Sequence, residues 1–186
     1  LVVSGLTGEG VRAVSFTEDT DDGAASSDET RERGESALVK RLRGRSMSVA
    51  EARTFLGGMD VESEHIDAIV DDFLARGYLD DMQLADQLVH AAVSRKGQGR
   101  RAIAQALQAR GIERATVDAV IADLPDDDEE RALEFARTKA PALSRLAPEV
   151  ALRRLIGQLS RRGFGGGIAM AAAKAALAEQ SGPRFR

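Results

Sequence analysis

The chain has 186 residues, a formal net charge of −4, no Cys, two His and an aromatic content of 4%. The lack of cysteine excludes disulfides and thiolate metal sites, and two histidines leave little for an imidazole metal centre. Six Phe, one Tyr and no Trp make poor walls for a large aromatic-lined ligand pocket. No apolar run reaches the roughly 18 residues that a membrane span needs, and no charged segment precedes an apolar stretch at the start. The chain begins at Leu1 rather than Met, which leaves its true start open.

The acidity is concentrated at the front. Residues 1–35 hold nine acids and three bases, a net −6, whereas residues 36–186 hold 21 acids and 23 bases, a net +2. The stretch from Glu18 to Glu29 mixes like charges with small residues and cannot bury enough apolar area to offset the entropy of ordering. Residues 1–35 are therefore expected to form a disordered acidic tail.

From Ser36 onward apolar residues recur at helical spacing: Ile66/Ile69/Val70/Phe73/Leu74, Leu84/Leu88/Ala92, Ile103/Leu107, Val117/Val120/Ile121/Leu124 and Leu152/Leu155/Ile156/Leu159. Alternating strand-like runs are absent. Helix breaks are expected at Gly77, Gly97-Gln98-Gly99, Gly111, Pro125, Pro141, Pro148 and Gly163, which leaves about nine helices. A shift of 51 residues pairs Ile66-Asp67-Ala68-Ile69-Val70 with Val117-Asp118-Ala119-Val120-Ile121, and Leu56 with Leu107. A shift of 52 pairs Arg110-Gly111 with Arg162-Gly163, and Ile112 with Phe164. The match of Arg76-Gly77-Tyr78 to Arg110-Gly111-Ile112 has a different period, 34, and has no third copy.

The expected fold is all-α: three tandem three-helix units at 36–78, 79–124 and 125–180, stacked into an elongated curved body, with a short tail at 181–186. A unit of about 50 residues buries too little surface alone, so neighbours should stack. Arg-Gly at the ends of helices in copies two and three supplies a left-handed cap and a cation at the negative helix end. In copy one Asp60 stands where that Gly would be.

The segment Gly77-Tyr78-Leu79-Asp80-Asp81, followed by Leu84-Ala85, Leu88-Val89, Arg95-Lys96-Gly97-Gln98-Gly99-Arg100-Arg101, Ile103, Leu107 and Arg110-Gly111-Ile112, resembles the RecX family of bacterial regulatory proteins. The likeness covers roughly residues 36–180 and is strongest in the middle unit. Unit one departs from the family pattern at Leu56-Gly57-Gly58-Met59. The resemblance implies a cytoplasmic, monomeric, non-enzymatic modulator without cofactor. Such a protein would bind RecA and RecA–ssDNA filaments, usually restraining recombinase activity in DNA repair, and would touch DNA weakly without regard to sequence. It also implies that Tyr78, Leu79, Asp80 and Asp81 form a motif at a unit junction.

The residues carry their own signals. Arg95, Lys96, Arg100, Arg101, Arg110 and Arg114, opposed only by Glu113, place a net +5 within twenty residues, and Gly97 and Gly99 flank a helix start that could hold a phosphate or an acidic protein face. Arg145, Arg153, Arg154, Arg161 and Arg162 against Glu149 give +4; Lys40, Arg41, Arg43 and Arg45 form a third group. Six phosphate contacts would give a log K against log salt slope of roughly −5. An acidic tail could compete with DNA for these surfaces. Region 51–86 is the opposite, a net −8, and suits a basic face on a protein filament.

Other motifs have plainer roles. Asp80-Asp81 is expected to cap a helix rather than hold a metal, with Asp126-Asp127-Asp128-Glu129-Glu130 doing the same at the start of unit three. Gly163-Phe164-Gly165-Gly166-Gly167 lacks the Lys-Ser/Thr of a phosphate-binding loop. His65 and His90 show no metal-ligand spacing, and Tyr78 and Phe164, each following a unit glycine, are expected in the core rather than as base-stacking platforms. The competing functional reading is a helix-turn-helix-type DNA-binding regulator independent of RecA.

Overall fold

The computed structural model describes residues 21–181; the side chains of residues 21–26, 95, 96 and 181 lie outside the described residues. Among the described residues there are nine α-helices and no strand: α1 Asp21–Gly44, α2 Val49–Gly57, α3 Ser63–Ala75, α4 Asp81–Lys96, α5 Arg100–Ala109, α6 Arg114–Ala122, α7 Asp128–Leu143, α8 Pro148–Arg161 and α9 Gly166–Ser181. Every strong helix pairing joins helices of one consecutive trio, α1–α3, α4–α6 or α7–α9.

Part of the expected tail is helical. Residues 21–35 belong to α1, held by an Arg31–Glu35 ion pair at 3.0 Å one turn apart and by Gly34, buried where an added Cβ would lie 3.0 Å from Val61 and 3.2 Å from Leu56. Charge alone does not unfold a segment in which Glu35 pairs with Arg31 one turn away and Gly34 fits a core. Residues 1–20 lie outside the described residues.

Each trio closes over its own core, and the second helix supplies the same anchors each time. Ala52 and Leu56 of α2, Ile103 and Leu107 of α5, and Leu155 and Leu159 of α8 are buried in three separate clusters. Unit three solves the packing differently on its outer helices. Ala132, Ala136 and Ala140 of α7 face Ala169, Ala172, Ala173 and Ala176 of α9 in one cluster, and small residues at this spacing let two helix backbones approach closely. An Arg137–Glu179 pair at 2.6 Å spans the same two helices at the surface.

Helix ends follow side-chain chemistry. Ser48 and Glu51 form a reciprocal capping box at α2, and Asp80 caps α4 by accepting the Gln83 N–H at 2.9 Å. Pro141 does not break a helix as expected; it lies exposed inside α7, two residues before its last residue. Only one intrahelical donor is lost there, opposite the exposed Arg137, near the end of the helix.

Candidate functional site

The two junctions between units are built alike. Asp81, first residue of α4, accepts the N–H of Val49, first residue of α2, at 2.9 Å. Asp128, first residue of α7, accepts the N–H of Arg100, first residue of α5, at 3.3 Å. Each unit thus caps the second helix of the unit before it. A second pair of contacts repeats as well: Ser48 Oγ donates to the Arg110 carbonyl at 2.5 Å, and the Gly99 N–H donates to the Arg162 carbonyl at 2.8 Å. The 51- and 52-residue shifts superpose these partners.

Glycine is required here for two reasons. Gly111 and Gly163 have φ of 73° and 88°, and a Cβ on them would fall 2.5 Å from Ala50 Cβ and 2.3 Å from Ala102 N of the preceding unit. Asp60, at the corresponding place in unit one, also has positive φ, 58°. There no preceding three-helix unit packs on it among the described residues, so a side chain is accommodated.

These junctions consume several of the candidate cations. Arg110 binds Glu51 with two nitrogens, at 2.7 and 2.8 Å, and the Ser46 carbonyl at 3.0 Å. Arg100 binds the Leu124 and Pro125 carbonyls, each at 2.8 Å. The helix start at Gly99–Arg100, expected to offer N–H groups to an anion, gives its first two donors to Arg162 and Asp128 instead. Arg131, which charge clustering did not single out, ties unit three to unit two by bonding Gln98 O at 2.8 Å while holding Asp127 and Asp128.

Burial draws the Glu51 carboxyl upward, but the Arg110 hydrogen bond, the Ser48 amide and the charges of Arg110 and Arg45 outweigh it and leave the group below the usual carboxylate value. Asp81 moves the other way. Burial pushes it up, Asp80 and Glu51 add to the push, and the Val49 amide only partly opposes them.

The remaining cations face water. The side chains of Arg101, Arg153, Arg154 and Arg161 are exposed with no hydrogen bond or ion pair among the described residues, and Arg114 has a loose partner, Asp118 at 3.5 Å. The Arg101 N–H reaches the Gly163 carbonyl at 3.3 Å, so the start of α5 abuts the end of α8. Two basic groups some sixty residues apart in sequence are thereby brought together where units two and three meet. Arg162 lies in the same place, its guanidinium 4.2 Å from the centre of the Phe135 ring. The side chains of Arg95 and Lys96 are outside the described residues, although α4 ends beside this junction: an added Cβ on Gly97 would sit 3.5 Å from Arg162 Nη1.

In unit one the third basic group divides. Arg41 stacks over Phe55 at 4.9 Å, Arg45 reaches Glu51 at 3.2 Å, and both line a cavity of about 370 Å³ against Arg110 and Gly111. Lys40 and Arg43 line another groove, beside Tyr78. Phe164 is in the core as expected, but Tyr78 is not: it is 58% exposed, and Leu79 takes the buried place after it. His65 Nδ1 meets Ser27 Oγ at 3.2 Å, joining α1 to α3, and His90 is exposed. Among the described residues no group of His, Asp and Glu is arranged to hold a metal ion, and no helix is long and apolar enough to cross a membrane.

The capping Ser48 and Glu51 were legible as a Ser-x-x-Glu signature; no sequence signal showed that Arg110 would bind that Glu51.

Residues 80–121 match the family model for RecX, second three-helix domain. The chain is 30% identical over 148 residues to the regulatory protein RecX of Thermobifida fusca, covering 79% of this chain and 80% of that one. It is also 30% identical over 159 residues to the regulatory protein RecX of Mycobacterium ulcerans, covering 84% and 92%. The crystal structure of RecX from Lactobacillus salivarius superposes with a TM-score of 0.73 at 17% identity, over 80% of this chain and 97% of that one.

Proposed function

This chain belongs to the RecX family of regulatory proteins, and from that premise we propose that it binds RecA and RecA–DNA filaments and restrains the recombinase. In this reading it is a monomeric, cytoplasmic regulator of DNA repair and not an enzyme. The observation that carries the reading is the basic surface that begins where units two and three meet, with the exposed side chains of Arg101 and Arg161, and includes Arg153 and Arg154 exposed further back on α8, all four without an ion pair among the described residues. That surface faces the DNA-containing groove of the filament. Unit one, whose α3 exposes Glu64, Asp67 and Asp71, meets RecA subunits.

Occupation of the groove hinders strand pairing and filament growth. Three linked units engage together, so each contact after the first is intramolecular and no single site has to be tight. Co-sedimentation with RecA–ssDNA filaments, with RecA alone and ssDNA alone as controls, tests the reading. The chain is expected to pellet with the filament and to slow RecA strand exchange. The triple variant Arg153→Ala/Arg154→Ala/Arg161→Ala is expected to lose most of that inhibition with its helical circular dichroism intact. Failure to associate with all three targets would overturn the proposal, and a footprint on a defined duplex without RecA would favour an independent DNA-binding regulator.

A further inference from the structure

Three helices end in the same way, and one of the three leaves its apolar residue outside. α3, α5 and α8 close on the left-handed glycines Gly77, Gly111 and Gly163. The N–H of the next residue reaches back to the carbonyl of Phe73, Leu107 or Leu159. In this cap the residue after the glycine packs on the last helical turn. Ile112 and Phe164 do so and are 4% and 1% exposed, whereas Tyr78 is 58% exposed. Its ring meets Phe73 edge-on, with centroids 5.5 Å apart and planes at 67°. The cap explains where Tyr78 starts; it does not explain an aromatic ring carried into water.

The ring stands at a groove of about 550 Å³ between α1 and the end of α3. Ser36, Lys40 and Arg43 recur one turn apart on α1 and line one side with Val39; Phe73, Arg76 and Tyr78 line the other. The two acids at its edge are matched already, Asp72 by Arg76 at 2.8 Å and Glu35 by Arg31 at 3.0 Å. Lys40 and Arg43 are exposed and make no hydrogen bond or ion pair among the described residues. The groove therefore offers an open aromatic face, an apolar floor and two surplus cations.

We infer that this groove on unit one binds single-stranded nucleic acid, with an unpaired base stacked on Tyr78 and the adjoining phosphates on Lys40 and Arg43. Base stacking on an aromatic ring beside a cationic track is how single strands are held without regard to sequence. A duplex offers no free base face to the ring. An apolar peptide would leave both cations unmatched, and an acidic one would leave the ring uncovered. The inference is independent of the proposed RecA role, because it needs no recombinase.

Tyr78 is the chain's one tyrosine and there is no Trp, so intrinsic emission reports this residue alone. The full chain is titrated with a short single-stranded oligothymidylate, following Tyr emission and the anisotropy of an end label. Saturable quenching is expected to track binding, with no quenching by a duplex of equal length. Tyr78→Ala is expected to weaken binding by about tenfold, within the range for loss of one stacked base, while Tyr78→Phe, which keeps both the ring and the capping contact, retains it. Lys40→Ala/Arg43→Ala is expected to reduce the salt slope by about 1.4, at about 0.7 per phosphate on a single strand. Binding without quenching, equal quenching by duplex, or full affinity in a folded Tyr78→Ala variant would each overturn the inference. Binding of recombinase protein that is lost in Tyr78→Ala, with no binding of the oligonucleotide, would overturn it too, and would assign the groove to a protein partner.

Discussion

At the scale of single residues, the junction between units one and two is an ionic lock with two carboxylates tuned in opposite directions. Glu51 is held below its ordinary value, so the folded state prefers it ionised. That contribution is present above the unfolded value, about pH 4.5, and is lost as the pH falls through the lower folded one. Asp81 is raised, so the folded state takes up a proton there before the unfolded chain does, and its ionisation costs stability as the pH rises past about 3.8. Glu51→Gln is accordingly expected to lower the melting temperature near neutral pH and to flatten the acid limb of the curve below about pH 4.5. Asp81→Asn, which keeps an oxygen for the Val49 N–H, is expected to be better tolerated. Arg110→Ala, which removes three charge-assisted hydrogen bonds at a half-buried site, is expected to cost about 2 kcal/mol in urea denaturation. An Arg110→Ala variant as stable as the parent would show that the lock is replaced by water at no cost.

At the scale of elements, glycine at a helix end carries two separable demands, backbone conformation and room for a neighbour. Gly77 and Gly163 share a left-handed backbone, but a Cβ on Gly77 meets nothing within 4 Å, whereas one on Gly163 meets Ala102 backbone. Gly77→Ala should cost the left-handed strain alone, about 1–2 kcal/mol, and Gly163→Ala distinctly more in the same urea titration; equal costs would mean that units two and three shift apart freely. The first demand was legible in sequence, because Arg-Gly followed by an apolar residue is a local cap signal. The second was not, since it depends on which helix lies across the gap. The same limit explains the match at period 34: Arg76-Gly77-Tyr78 repeats the cap of Arg110-Gly111-Ile112 without repeating the unit. Helical periodicity located the cores through Leu107 and Leu159, and the 51-residue shift through Leu56, all fully buried. It could not place the start of α1, which meets α3 through Ser27 and His65 and, further along, through the fit of Gly34 against Val61 and Leu56. The stack also has a chemical end. Val49 and Arg100, each first in its unit's second helix, offer an N–H to the next unit's Asp, but the corresponding first residue of α8 is Pro148, which has none to offer.

At the scale of the whole molecule, net charge is a poor guide to binding, because the cations divide into those that hold units together and those that face outward. Arg100 and Arg110 stood in the same sequence cluster as Arg101 and Arg114, and nothing in their spacing separates them; only the approach of Leu124, Pro125 and Glu51 does so. The division has a measurable consequence. Each phosphate neutralised on duplex DNA adds about −0.9 to the slope of log K against log salt. If Arg101, Arg114, Arg153, Arg154 and Arg161 each meet one phosphate, the five exposed arginines sum to about −4.5, near the six-contact expectation although only Arg101 and Arg114 come from the first cluster. Replacing Arg153, Arg154 and Arg161 with Ala should bring the slope to about −1.8 and leave the unfolding midpoint in place. Replacing Arg100 should do the reverse, lowering the midpoint while the slope of the protein that remains folded stays put. A salt titration and a denaturant titration on the same two variants therefore separate binding cations from structural ones. If the Arg100 variant lost slope and kept its midpoint, the junction would be the binding site and the exposed arginines only its solvated rim.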